Sequence, residues 1–344
     1  MDPEVFGDGS GRRAAASPRR SGVARTAQRP GPPVGRRRGC RSATTLYQQL
    51  RDAPSTVRVH PELLFIESSV RVPPLRMKPS ELAAALKAAS EAAHAAGDLM
   101  RRNLRRTKKV NESTHHDLKL DLDVRCQRLI TRRLASAFPE VPVLGEEGID
   151  EESLRAATRW VVDPIDGTVN FAYGIPHACV SIALQTRIAA TPCDASFRTD
   201  VGVVYDPFLG EEFTAIRGKP ARLNGRPIRA SRRSSLDEAI ISVGFAKSEA
   251  TLNSMLPAIG RLAHQVRKLR LMGSAALALV YVADGRFDAY IEPGVRLWDI
   301  AAGGLIVECA GGEFWCEPLP GDHVYRLNAN NGRLRKQIER VIRK

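Results

Sequence analysis

Six consecutive residues, Asp163-Pro164-Ile165-Asp166-Gly167-Thr168, limit what this chain can fold into more than any other stretch. They follow the apolar run Trp160-Val161-Val162 and lead into Val169-Asn170-Phe171. The run reads as a buried strand, so two carboxylates arrive close together at its end, where unpaired charge is costly. A hard divalent cation offsets that cost, because it takes carboxylate and backbone carbonyl oxygens as ligands. Pro164 stiffens the turn, Gly167 lets backbone approach a ligand closely, and Thr168 adds a hydroxyl. Together they read as metal plus phosphate. Asp-Pro and Asp-Gly also mark ordinary turns, so the motif has to be weighed with the rest of the chain.

Other acids fall at comparable places. Glu146 follows a strand read over Val141 to Leu144, and Asp299 opens a helix of small residues running from Trp298 to Cys309. A charge at a helix start is also favoured by the macrodipole alone, and Glu146-Glu147 also fits a solvated turn.

The intervening pattern alternates helices and strands in blocks. Leu82, Leu86, Ala89, Ala93, Ala96, Met100 and Leu104 recur at spacings of three or four, which marks a helix from Ser80 with Pro79-Ser80 as its cap. A polar loop is read over Lys108 to His116, and a second helix over Leu122 to Phe138. Strands are read at Cys179–Leu184, Val201–Tyr205, Glu212–Ile216, Ala239–Val243, Lys268–Leu271, Phe287–Ile291 and, as the last, Phe314–Cys316. Asn224-Gly225 signals a hairpin. Helices are read at Leu252–Leu262 and Ser274–Ala283, and residues 186–199 as a long surface loop. No G-x-G-x-x-G follows a strand and no P-loop occurs. The expectation is a layered α/β fold, not a Rossmann domain.

Composition narrows the partners. The net charge of +14 invites a nucleic-acid hypothesis. Residues 1–76, however, hold 14 Arg, no Lys and 6 acids, so they carry +8 of it and leave +6 for residues 77–344. The Arg-, Gly- and Pro-rich segment cannot bury enough surface to offset its ordering entropy, so disorder is expected over 1–76. It reads as a basic arm, as a targeting segment, or as translated sequence upstream of a true start at Met77. No apolar run approaches the ~20 residues of a membrane helix. The six cysteines form no C-x-x-C pair, which fits a reduced cytoplasmic protein without a disulfide framework.

The segments Gly145-Glu146-Glu147, the run from Trp160 to Phe171 and the run from Trp298 to Gly312 resemble, in order and spacing, the signatures of the inositol monophosphatase family. The resemblance covers roughly residues 78–344. It implies an α-β-α-β-α layered sandwich of the sugar-phosphatase type. The implied activity is magnesium-dependent, lithium-sensitive hydrolysis of a phosphomonoester, and the implied assembly a homodimer. Carried over by motif, Glu146, Asp163, the Ile165 carbonyl, Asp166 and Asp299 hold two or three Mg²⁺ ions. The backbone N–H groups of Gly167 and Thr168 hold the phosphate. The Thr168 hydroxyl and Asp123 orient the attacking water. Glu292 matches the acid that binds ring hydroxyls in the inositol-cleaving branch, and Gly273-Ser274 the loop against the substrate ring. Inositol monophosphate is therefore the leading substrate. Histidinol phosphate, fructose 1,6-bisphosphate and 3′-phosphoadenosine 5′-phosphate are alternatives, and a nucleic-acid partner is disfavoured. One segment departs from the pattern. Lys119-Leu120 replaces Val-Thr, and Asp121 is an extra acid between Asp117 and Asp123.

Overall fold

The computed structural model describes residues 77–108, 110–113, 118–149, 151–188, 194–244 and 249–342. Residues 1–76, for which disorder is expected, and the segment holding His115, His116 and Asp117 lie outside them. The first part of the chain holds α1 (Pro79–Asn103), β1 (Val110–Ser113), β2 (Leu118–Leu120), α2 (Asp121–Ala137), β3 (Val143–Gly145), β4 (Gly148–Ile149), α3 (Glu151–Arg155) and β5 (Thr158–Asp166). Then come α4 (Thr168–Ala172), β6 (Cys179–Arg187), β7 (Phe197–Asp206), β8 (Glu211–Ile216), β9 (Arg222–Leu223), β10 (Arg226–Pro227) and β11 (Ile240–Val243). The remainder holds α5 (Glu249–Ala263), β12 (Lys268–Arg270), α6 (Ala275–Ala283), β13 (Ala289–Arg296), α7 (Leu297–Cys309), β14 (Glu313–Pro318), β15 (Val324–Asn330) and α8 (Arg335–Ile342).

Two large sheets organise these elements. The first has the order β10-β9-β8-β7-β6-β5-β3-β4, the second β12-β11-β13-β15-β14. Helices α1 and α2 cover the outer face of the first sheet. The alanine stripe of α1 (Ala85, Ala89, Ala92, Ala93, Ala96) is fully buried there with Leu134, Trp160 and Ile182. Helices α6 and α7 fill the space between the sheets, where they share one core with Val161, Val204, Tyr290 and Leu327. Their all-round apolar sequences, such as Leu277-Ala278-Leu279-Val280, suit a layer covered on both sides. Helices α5 and α8 close the far face around Ile241, Ile291, Leu262 and Ile338. The result is the expected α-β-α-β-α sandwich.

Several local expectations are corrected. The stretch read as a loop from Lys108 holds β1, which pairs antiparallel with β2. The cap of α1 is Lys78, whose N–H donates to Glu81 at 2.7 Å, while Pro79 and Ser80 sit in the first turn. Residues 186–199 are not loop throughout, because β6 runs to Arg187 and β7 starts at Phe197 after a short 3-10 turn at Asp194–Ser196. Strands β2, β4 and β15 and helix α8 were not anticipated. The Asn224-Gly225 hairpin forms as expected, with φ of 47° and 77° at the two turn residues. No helix among the described residues is long and apolar enough to cross a membrane. Cys126, Cys179, Cys309 and Cys316 are free thiols.

Candidate metal and phosphate site

The site begins with an irregularity in β5. Asp163 pairs with Ser181 and Asp166 with Cys179, so the register slips by one residue between them. In a regular strand, side chains three positions apart point to opposite faces. The bulge adds one residue and returns Asp166 to the side of Asp163. Pro164, which has no N–H to give, is tolerated at such a break. The Ile165 N–H donates to Asp163 Oδ1 at 3.0 Å and closes the turn. Strand β5 therefore extends through the motif, rather than ending before it.

Each acid is then set by its own element. Glu146 follows β3, and its N–H donates to the Val162 carbonyl at 3.2 Å, which seats it beside Asp163. Asp166 lies at the N-terminus of α6. Its Oδ2 accepts the Ser274 hydroxyl at 2.5 Å and the Ala276 N–H at 2.7 Å, and its Oδ1 accepts the Ala275 N–H at 3.1 Å. Ser274 is the cap of that helix. Asp299 occupies the first turn of α7, and its Oδ2 accepts the Arg296 N–H at 2.8 Å. Oxygens of Asp163, Asp166 and Asp299 lie within 4.8 Å of one another.

Electrostatics make this arrangement costly on its own. Burial pushes Asp163 well above the ordinary carboxylate range, and the neighbouring charges of Glu146, Asp166 and Asp299 push it further. Burial also raises Asp166, against the opposing hydrogen bonds from Ser274, Ala276 and Ala275. An all-oxygen, multiply anionic, buried donor set is what a hard divalent cation requires. The acidic cluster fits a divalent metal.

These acids line a cavity of about 550 Å³, together with Ile165, Gly167, Thr168, Gly273, Ser274 and Glu292. Gly167 has φ 95° and caps α4, and a Cβ there would lie 2.9 Å from the His177 carbonyl. Only glycine satisfies both conditions. The Thr168 hydroxyl donates to the Ile165 carbonyl at 2.8 Å. Gly273 has φ 73°. Glu292 accepts a hydrogen bond from the Tyr290 hydroxyl. Asp123 is buried in the first turn of α2, where its Oδ2 accepts the Leu120 N–H at 2.7 Å. It is not among the lining residues of the cavity. His177 packs its ring edge-on to Tyr281 at 6.2 Å, as a packing residue does. Arg296 donates to the Asp322 carbonyl at 2.6 Å.

Sequence reasoning missed two contributors. Asn170 Nδ2 donates to the carbonyls of His177 at 2.9 Å and Met272 at 2.8 Å, tying α4 to the Gly273 loop. The signal was its place inside the quoted motif. Gly244 ends β11 against Glu292, and a Cβ there would meet Glu292 Oε2 at 1.6 Å. A glycine directly after a strand was its only sequence trace.

A layered α/β fold whose acidic cluster faces a cavity of about 550 Å³ is the arrangement of a metal-dependent phosphomonoesterase. The family model described as "Inositol monophosphatase family" matches residues 81–319. The Nus factor SuhB of Xylella fastidiosa is 40% identical over 225 residues, covering 64% of this chain and 78% of that protein. Inositol monophosphatase 1 of Solanum lycopersicum is 39% identical over 233 residues, covering 66% and 82%. The crystal structure of extragenic suppressor protein suhB from Bartonella henselae superposes with a TM-score of 0.68 at 32% identity, over 76% of this chain and 99% of that one. The chain belongs to the inositol monophosphatase family.

Proposed function

We propose that this chain hydrolyses a small phosphomonoester in a Mg²⁺-dependent reaction, with inositol monophosphate the leading substrate. The observation that carries the reading is the convergence of Asp163, Asp166 and Asp299 within 4.8 Å on one cavity. Glu146, Asp163, the Ile165 carbonyl, Asp166 and Asp299 would hold two or three ions. Bound there, the ions would offset the charge of a phosphate dianion and acidify water. The protein's own groups do the rest. The Gly167 and Thr168 N–H groups hold phosphate oxygens at the start of α4. The Thr168 hydroxyl would orient the attacking water, with Asp123, which lies outside the cavity lining, as its proposed carboxylate partner. Helix α4 packs against β2, and β2 leads directly into the turn that carries Asp123. Glu292 and the Gly273-Ser274 loop receive the polyol, and Tyr290 holds the Glu292 carboxylate in place.

The test is a turnover panel of inositol 1-phosphate, histidinol phosphate, fructose 1,6-bisphosphate and 3′-phosphoadenosine 5′-phosphate, with Mg²⁺ or EDTA. Folded protein that releases no phosphate from any of them in Mg²⁺ would end this reading. The proposal includes lithium inhibition, a cytoplasmic location and a homodimer. Exposed Tyr173 and Ile175, which follow α4, would offer apolar surface to the second copy. The name of the Xylella relative favours a second reading, in which the chain also acts as a Nus factor. A transcription assay in which Asp163→Asn behaves as wild type would separate that role from hydrolysis.

A further inference from the structure

The segment between β6 and β7 holds a carboxylate that the reaction above does not use. Asp194 lies in the short turn before β7 and gathers three donors. Its Oδ1 accepts Arg159 Nη2 at 2.8 Å. Its Oδ2 accepts the Tyr325 hydroxyl at 2.8 Å and lies 2.6 Å from His323 Nδ1. Burial alone would raise Asp194, but the bonds from His323 and Arg159 bring it down to about 2, so it stays ionised near neutrality. Arg159 is itself fixed. It is fully buried at the start of β5, its Nε donates to Gln185 at 3.0 Å, and its guanidinium lies 3.7 Å from the centre of the Phe197 ring.

What Asp194 holds is the turn that leads into β15. His323 sits there at φ 57°, a left-handed conformation uncommon for a non-glycine residue, though His adopts it more readily than most. The backbone of this turn reaches the start of α7. The His323 carbonyl accepts the Leu297 N–H at 3.0 Å, and the Asp322 carbonyl accepts Arg296 Nη1 at 2.6 Å. The Arg296 N–H in turn donates to Asp299 Oδ2. The His323 ring also packs on Trp298, with centroids 5.9 Å apart. A continuous path of bonds thus runs from Asp194 to the metal-facing acid of α7.

We propose that Asp194 and His323 are positioning residues that set the N-terminus of α7, and hence Asp299, for metal binding. Groups that orient a ligand from behind often change metal affinity about 10–100-fold when removed. The path crosses between the sheets, since Arg159 belongs to β5 and His323 precedes β15. It fixes Asp299 relative to Asp163, which lies on the same strand as Arg159. This inference rests on the proposed metal site.

The test is a calorimetric Mg²⁺ titration of the full chain without substrate, alongside phosphatase kinetics. His323→Gly removes the imidazole and suits the positive φ, so it deletes the link without backbone strain. Its Mg²⁺ Kd should rise about tenfold, with kcat at saturating Mg²⁺ within about twofold of wild type. His323→Asn, which tolerates the same φ and carries a side-chain donor, should recover most of that affinity. A folded His323→Gly chain with wild-type Kd, or an Asn variant as weak as the Gly variant, would overturn the inference. If His323→Gly does not fold, Tyr325→Phe decides, since it removes one donor to Asp194 without touching the turn's backbone. A rise in its Kd supports the inference and an unchanged Kd overturns it. Wild-type protein that binds no Mg²⁺ would instead sink the metal site itself.

Discussion

Asp163→Asn should stabilise the metal-free protein while abolishing its response to magnesium. Carboxylate oxygens of Asp163, Asp166 and Asp299 lie within 4.8 Å of one another, so each ionised pair repels by about 3.5 kcal/mol at an effective dielectric of ~20. Burial and its acidic neighbours raise Asp163 and so favour its protonated form, which lowers that penalty in the wild-type protein. Because protonation already relieves part of the repulsion, the gain from a neutral amide is taken as about 1–3.5 kcal/mol, the scale of a single pair. The amide oxygen can still accept the Ile165 N–H, so the turn is kept. At ~2–4 °C per kcal/mol, Tm in EDTA should rise by about 2–14 °C. Magnesium at 100 times its Kd should add about 2.7 kcal/mol to wild type and nothing to the variant. Scanning calorimetry in EDTA and in Mg²⁺ should therefore show the gap between the two proteins narrow or reverse on adding the metal. A variant less stable than wild type in EDTA, or one that keeps the magnesium-induced rise, would refute the reasoning.

Gly244→Ala places a Cβ 1.6 Å from Glu292 Oε2, so the carboxylate must turn away from the cavity. A lost charged hydrogen bond to substrate is worth about 1.5–3 kcal/mol, so kcat/KM for inositol 1-phosphate should fall roughly 10–100-fold while the magnesium Kd holds; an unchanged kcat/KM would remove Glu292 from the substrate site. The stability of metal-free protein should depend on pH with a definite sign. Asp163 and Asp166 are raised on folding, so their contribution is complete below the ordinary carboxylate value near 4 and is lost as pH climbs through the raised values. Urea unfolding in EDTA should show stability falling as pH rises through that window, with excess Mg²⁺ weakening or inverting the trend. Deleting residues 1–76, which lie outside the family match, should leave kcat/KM within about threefold, or ~0.65 kcal/mol, and a larger loss would give that segment a role.

The sequence carried the identity of the acids better than their arrangement. Asp163, Asp166, Gly167 and Thr168 announce themselves because a carboxylate at the end of an apolar strand has few inexpensive explanations. The register slip that turns Asp166 toward Asp163 depends on pairing with Ser181 and Cys179, and nothing in β5 alone displays a partner strand. Strand β15 escaped notice because Asn328 and Asn330 are buried yet polar, which breaks the apolar alternation used to read strands. Helix α8 buries only Ile338 and Val341 among eight residues, too little for a periodic signal. Asp194 reads as an ordinary loop acid until Arg159, His323 and Tyr325, remote in sequence, are seen to meet on it. What a sequence leaves out, in each case, is the partner.

The two helices between the sheets explain why the acids are held together at all. Asp166 accepts the first N–H groups of α6, which Ser274 caps, and Asp299 lies in the first turn of α7, so the positive ends of both helices face the cluster. A helix end favours a nearby anion by roughly 0.3–1 kcal/mol, or about 2 in a buried setting. Two such ends supply about 4 kcal/mol at best. Three ionised carboxylates at these separations make three repelling pairs, about 10 kcal/mol together. The helices can seat the acids but cannot hold them all ionised, and the remaining deficit is met either by protons or by a cation. Protonation and metal binding are therefore competing ways of settling one imbalance. The same helix ends aim carboxylates from separate layers at one point, so the balance that penalises the metal-free state also preorganises the site that a divalent ion would enter.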